Sequence, residues 1–422
     1  MRKTTRIQPA DLVGYSRLII AATLGVTGVV EAMHASILRP SSIDHTRAPG
    51  RTHGITRTVY QGVRGVTALV GGGIDAILSR VVPELGRDDS SPERETMLAM
   101  LNGMIGDYLA ATDNPLAISM CMRRNGKPLD MQRQALAGPA VGATTKLLVL
   151  VHGLGMSDLH WERNGHDHGN ALARDLGYSP VYLHYNSGLH VSTNGRALAE
   201  LLELLVQEWP APLEEFVILG HSMGGLVSRA AFHYGKLAKH QWTQKLRKLI
   251  FLGTPHHGSP LERGGNLLNG VFELSSYTTP LARLGQVRSA GITDLRYGNL
   301  LDEDWQSRNR FAHVGDLRRP VPLPKRVQCY AIAACASKCP GDLSSVVLGD
   351  GLLPVSSALG RHSDPRLTLA LAKSRQFVGY GLRHFDLLSD PDVYEQIRKW
   401  LASRSRTSSK RYLGSEPPIA TT

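Results

Sequence analysis

The sequence predicts an α/β protein built on a mostly parallel sheet, and three observations carry that expectation. Apolar runs of strand length alternate with amphipathic segments of helix length between about residues 115 and 403. The run at 146–151, Lys-Leu-Leu-Val-Leu-Val, is apolar almost throughout, as in strands buried on both faces. A serine flanked by glycines at 220–225 sits between a strand-like and a helix-like segment, a strand–turn–helix unit.

Along the chain, 11–38, 55–82 and 92–112 read as helices, because apolar residues recur at three- and four-residue steps. Pro92 suits a helix start. The first two are rich in glycine (Gly25, Gly28, Gly65, Gly71, Gly72, Gly73), which costs about 1 kcal/mol each relative to alanine, so close packing or an apolar surface must offset it. From about 115 the pattern becomes alternating, with a strand expected at 116–120 and an Asn125-Gly126 turn that suits a hairpin. Further strands are expected at 180–185, 215–219, 249–252 and 327–332, and helices at 195–208, 223–233 and 391–401. The stretch 260–325 breaks this rhythm and is read as a cap over the site. The expected organisation is a helical region 1–114, a catalytic domain 115–403 and a disordered basic tail 404–422.

Lysine and arginine number 48 against 36 acidic residues, for a net charge of +12. Such a surplus favours anionic surfaces. No basic run interleaved with aromatics and no nucleic-acid motif accompanies it, so nucleic acid is not an expected partner. Cys329, Cys335 and Cys339 lack the paired spacing of a zinc ribbon, and reduced thiols point to a cytoplasmic protein. The apolar run 18–30 is too short to span a bilayer, and the residues after it fit a signal-peptidase site poorly.

Gly220-His221-Ser222-Met223-Gly224-Gly225 has the context of a nucleophile elbow. Glycines flank the serine because the turn is too tight for side chains, and Ser222 stands at the positive end of a helix, where backbone N–H groups receive an oxyanion. His152-Gly153-Leu154-Gly155 closes the earlier apolar strand, so the oxyanion donors are expected to be the N–H groups of Leu154 and Met223. Serine needs a histidine to take its proton and a carboxylate to orient that histidine, in the chain order Ser, acid, His. Asp350, in a glycine-flanked turn, is the leading acid, with Asp342 and Asp364 as competitors. His384, just ahead of the last amphipathic helix, is the leading base, with His362 as competitor. His160, His166, Asp167 and His168 carry metal-ligating groups, but the loop-like run between them reads as a helix-capping segment. His256 and His257 follow a strand end and are candidates for lining the pocket.

Together GHSMGG at 220–225, HGLG at 152–155, LGTPHHGS at 252–259, GDGLLPVSSA at 349–358 and HFDLL at 384–388 resemble the bacterial lipase-like branch of the α/β-hydrolases, close to triacylglycerol lipases and GPI inositol-deacylase-like proteins. The resemblance spans roughly 115–403. It implies the α/β-hydrolase fold, Ser222 as nucleophile, Asp350 as acid, His384 as base and Leu154 and Met223 as oxyanion donors, with no cofactor. The expected activity is hydrolysis of hydrophobic acyl esters, with peripheral contact to a lipid surface. A thioesterase or acyltransferase uses the same machinery, and a non-catalytic binding protein can keep the same scaffold. The amino-terminal helices have no counterpart in the well-studied lipases.

Overall fold

The computed structural model describes residues 9–37, 59, 61–68, 72, 91–260, 288–309, 315–338 and 349–403. Eight strands form one sheet: β1 (Cys121–Arg124), β2 (Lys127–Pro128), β3 (Lys146–Val151), β4 (Ser179–His184), β5 (Glu215–His221), β6 (Leu246–Leu252), β7 (Gln328–Cys335) and β8 (Gln376–Tyr380). Their order is β2-β1-β4-β3-β5-β6-β7-β8. From β4 to β8 every pairing is parallel, and β1 joins β4 antiparallel. This sheet, with its helices and its strand–serine–helix turn, is the α/β-hydrolase fold.

The six helices that matter here are α1 (Pro9–Ile37), α2 (Pro92–Ala111), α3 (His168–Leu176), α4 (Val191–Glu208), α5 (Met223–Leu237) and α6 (Pro391–Ala402). Strand periodicity sends alternate residues to opposite faces. Leu147, Val149 and Val151 of β3 thus join one core with Leu198 and Leu202 of α4 and Leu226 of α5. Leu148 and Leu150 join the other, with Leu172 of α3 and Val393 and Ile397 of α6. Each buried Leu or Val contributes about 1.5–3 kcal/mol, which explains why the central strands read as continuous apolar runs.

The hairpin turn lies at Asn125-Gly126 as expected, both residues having positive φ (50° and 74°) between Arg124 and its partner Lys127. The strand expected at 116–120 does not form. Its backbone is tied instead to the Asn102 side chain, which donates to the Leu116 carbonyl (2.8 Å) and accepts from the Ile118 N–H (2.9 Å). A segment whose polar groups are satisfied this way gains nothing from a sheet ladder.

The first and third expected helices appear as α1 and α2. Of the second, 61–68 is helical and most of the rest lies outside the described residues. Arg94 of α2 grips Asp11 of α1 at 2.6 and 2.7 Å, and Leu98 and Leu109 of α2 cluster with Leu116 and, from α1, Tyr15 and Leu18. Met100 and Met104 of the same helix enter the sheet's core. About half of the expected cap at 260–325, namely 261–287 and 310–314, and the tail from 404 lie outside the described residues. Among the described residues, no helix is long and apolar enough to cross a membrane.

Candidate active site

Strand order reverses around β3, whose neighbours are β4 on one side and β5 on the other. In open α/β sheets the crevice beyond the carboxyl ends of such strands is where ligands bind. Ser222 follows β5 directly and precedes α5, with φ 53° and ψ −127°. A non-glycine residue held in that region stores on the order of 1–3 kcal/mol of strain, and here the surroundings enforce it. The Ser222 N–H donates to the Leu252 carbonyl (2.8 Å) and its own carbonyl accepts from Gly225 (3.0 Å). The elbow glycines have a steric cause: a Cβ on Gly220 would lie 2.7 Å from Gly225 Cα, and one on Gly224 would collide with the Val151 carbonyl.

His384 and Asp350 are both buried, at 2% and 3% exposure. Nδ1 of His384 lies 2.6 Å from Oδ2 of Asp350. The second carboxylate oxygen accepts the N–H groups of Leu352 and Leu353, each at 2.9 Å. With Nδ1 committed to the carboxylate, Nε2 is the nitrogen left for chemistry. Ser222 and His384 line one cavity together with Leu154, Met156, Leu353 and Phe385. The N–H groups of Leu154 and Met223 meet no acceptor among the described residues. Behind the histidine, His221 places its ring 4.9 Å from that of His384. Burial, and then the neighbouring His384, hold the His221 imidazole well below its ordinary pKa, so it packs as a neutral ring.

The competing candidates are placed elsewhere. Asp364 is paired with Arg366 (2.7 Å), and His362 accepts from the Asp364 N–H (2.9 Å) with its other nitrogen 3.7 Å from Asp316. Asp342 lies outside the described residues. His256 and His257 turn away from the cavity: their Nδ1 atoms meet Arg229 (3.2 Å) and Arg318 (2.9 Å), and it is Pro255 and Ser259 that line it. Asp167 caps α3 through the Asn170 N–H (2.6 Å). The rings around it are engaged as well, His166 with His168 (2.8 Å), His168 with the Leu387 carbonyl (2.9 Å) and His160 with the Ser157 N–H (3.0 Å).

The turn that carries Leu154, an expected oxyanion donor, has support that no local sequence pattern names. Gly155 donates its N–H to Ser187 Oγ (2.9 Å), and α2 presses against the same turn, where a Cβ on Gly103 would lie 2.8 Å from Gly155 Cα. α2 is kinked at Ile105 (φ −135°, ψ 22°). Carbonyls beside the kink accept from outside the helix, Gly103 from Ser289 Oγ (2.6 Å) and Gly106 from Asn186 Nδ2 (2.8 Å). The available signal was the Gly103 and Gly106 pair inside an otherwise good helix, which marks close backbone approach.

Residues 148–319 match the family model of the PGAP1-like alpha/beta domain, a span that contains Ser222 but ends before Asp350 and His384. Among solved structures, the chain is similar to the mature lipase BlEst2 of Bacillus licheniformis (19% identity, 67% of this chain and 98% of that one, TM-score 0.40). It is also similar to the Staphylococcus hyicus lipase (13%, 63% and 97%, TM-score 0.35) and to the metagenomic carboxyl esterase MGS0156 (14%, 77% and 98%, TM-score 0.36). No curated protein matches the chain.

Proposed function

We propose that the chain is a serine ester hydrolase of the lipase or carboxylesterase kind, acting through an acyl-enzyme on Ser222. The observation that carries this reading is the strained serine sharing a cavity with a histidine whose Nδ1 is anchored 2.6 Å from a buried carboxylate. Ser222 Oγ attacks the ester carbonyl while Nε2 of His384 takes its proton. The oxyanion is received by the N–H groups of Leu154 and Met223. The imidazolium, stabilised by Asp350, then gives the proton to the leaving alcohol as the C–O bond breaks. Water deacylates the serine by the same route in reverse order.

The lining of Leu154, Met156, Leu295 and Leu353 favours an apolar acyl group. The cavity, about 20 Å³, holds about one water, so an acyl chain enters by displacing lining side chains. Peripheral contact with a lipid surface belongs to the same proposal. Leu12 and Ile19 of α1, and Val59, Val63 and Val66 on a neighbouring helical stretch of sequence, are exposed, a pattern suited to an apolar interface. Hydrolysis of p-nitrophenyl esters of graded chain length by the wild type and by Ser222→Ala tests the activity. Retention of turnover by the variant overturns it.

A further inference from the structure

A second concavity lies at the opposite end of the sheet. Ser222 follows the carboxyl end of β5, whereas this groove is walled by the second half of α5, the first residues of β6 and the segment 321–326 that leads into β7. A seven-residue strand spans roughly 20 Å, so the two sites are separated by about the depth of the sheet. The groove's volume is about 920 Å³, at the upper end of what small-ligand sites use.

Its chemistry is divided. Phe232, Val321 and Leu323, each half-buried, provide an apolar wall, with Leu246 and Leu249 buried behind them. Lys236, Lys239, Arg247, Lys325 and Arg326 also line it, all exposed, and no carboxylate does. None of these five cations makes an ion pair among the described residues. Of the acids on flanking elements, Glu303 pairs with Arg319 (3.2 Å), while Glu200 lies 3.5 Å from Nε2 of His240, a ring of the same lining. Five unpaired like charges around one concavity repel each other and concentrate anions. An apolar floor beneath them adds burial energy that a simple inorganic anion does not collect.

We propose that this groove is a binding site for a single-chain anionic amphiphile, a molecule with an anionic head and one apolar tail. The head is held by the cations of the rim, Lys236, Arg247 and Lys325 among them, and the tail lies along Phe232, Val321 and Leu323. A single-stranded nucleic acid fits less well, because Phe232 is half-buried and the lining offers no row of exposed aromatic rings for bases to stack on. The site stands independently of the hydrolase reading, since none of its residues touches Ser222 or His384.

The test uses the full chain and decyl phosphate below its micelle threshold, with binding followed by calorimetry. Inorganic phosphate, the neutral decyl glucoside and a single-stranded oligonucleotide serve as comparators. Decyl phosphate is expected to bind at least tenfold more tightly than inorganic phosphate or decyl glucoside. The triple variant K236E/R247E/K325E and the floor variant Leu323→Asp are each expected to weaken it at least tenfold, with the wild-type melting temperature and short-ester turnover retained. Equal binding by wild type and either variant overturns the proposal, as does inorganic phosphate binding as tightly as decyl phosphate. Tighter binding of the oligonucleotide, lost in the triple variant, overturns it in favour of a nucleic-acid groove. Should the charge-reversed protein melt early, K236Q/R247Q/K325Q is measured in its place.

Discussion

Nδ1 of His384 lies 2.6 Å from Oδ2 of Asp350, and the other oxygen of that carboxylate is fixed by two backbone N–H groups. The carboxylate is thus aimed before the histidine needs it. Asp350→Asn keeps the shape but offers an amide where the ring N–H needs an acceptor, favouring the wrong tautomer. Ester turnover is expected to fall by about 10⁴-fold, with the far-UV circular dichroism unchanged. If Asp364→Asn is crippling and Asp350→Asn nearly silent, the acid is misassigned.

The packing of Gly103 on Gly155 makes α2 part of the foundation of the turn proposed to carry an oxyanion donor. In Gly103→Ala the new methyl has backbone in its way, so the turn carrying the Leu154 N–H must shift by a fraction of an ångström. Loss of one well-aimed oxyanion donor costs about 10²–10³ in kcat, and a partial displacement is expected to cost about tenfold, with KM little changed. An unaltered kcat in a folded variant would show that α2 merely covers the turn.

Much of this frame was legible in the sequence. The runs of β3 and β5 are buried on both faces and show as uninterrupted apolar residues, and the elbow is written in Gly220, Ser222 and Gly224, whose spacing a steric constraint dictates. β8 escaped notice because it is a short edge strand whose residues are mostly half-buried, leaving no strong alternation. The segment 116–120 has strand-like composition but is claimed by Asn102 from 14 to 16 positions away in sequence, a contact that no local pattern announces. The same holds for Ser187 beneath Gly155, and for the arginines that draw His256 and His257 away from the cavity: each depends on where distant elements meet.

Lys248 is fully buried, with Nζ 3.1 Å from Glu215 and 3.2 Å from the carbonyls of Leu401 and Ser403. It ties the end of α6 to the sheet. Lys248→Ala strands those acceptors without a donor and leaves a cavity, so unfolding free energy is expected to drop by about 3 kcal/mol. Denaturant melts check this. A loss near zero would mean that water replaces the ammonium.

Burial holds His152 down to about 3 and His168 to about 4. Both values lie below the unfolded imidazole near 6.5, so the unfolded chain binds more protons than the folded one beneath that pH. The stability they contribute is complete above about pH 6.5 and is lost as the pH falls toward 4, by up to about 1.4 kcal/mol per pH unit for each ring. The melting temperature is expected to fall between pH 6.5 and 4.5, less steeply in His168→Gln. An identical slope in the variant would remove His168 from the explanation.

The central claim, that Ser222 is an activated nucleophile, is tested most directly by intact-mass spectrometry of the full chain after exposure to a fluorophosphonate. A single phosphonyl adduct, located on the peptide bearing Ser222 and absent from Ser222→Ala and His384→Ala, is the expected result. A folded protein that stays unlabelled, or that carries the adduct on another serine, would contradict the account.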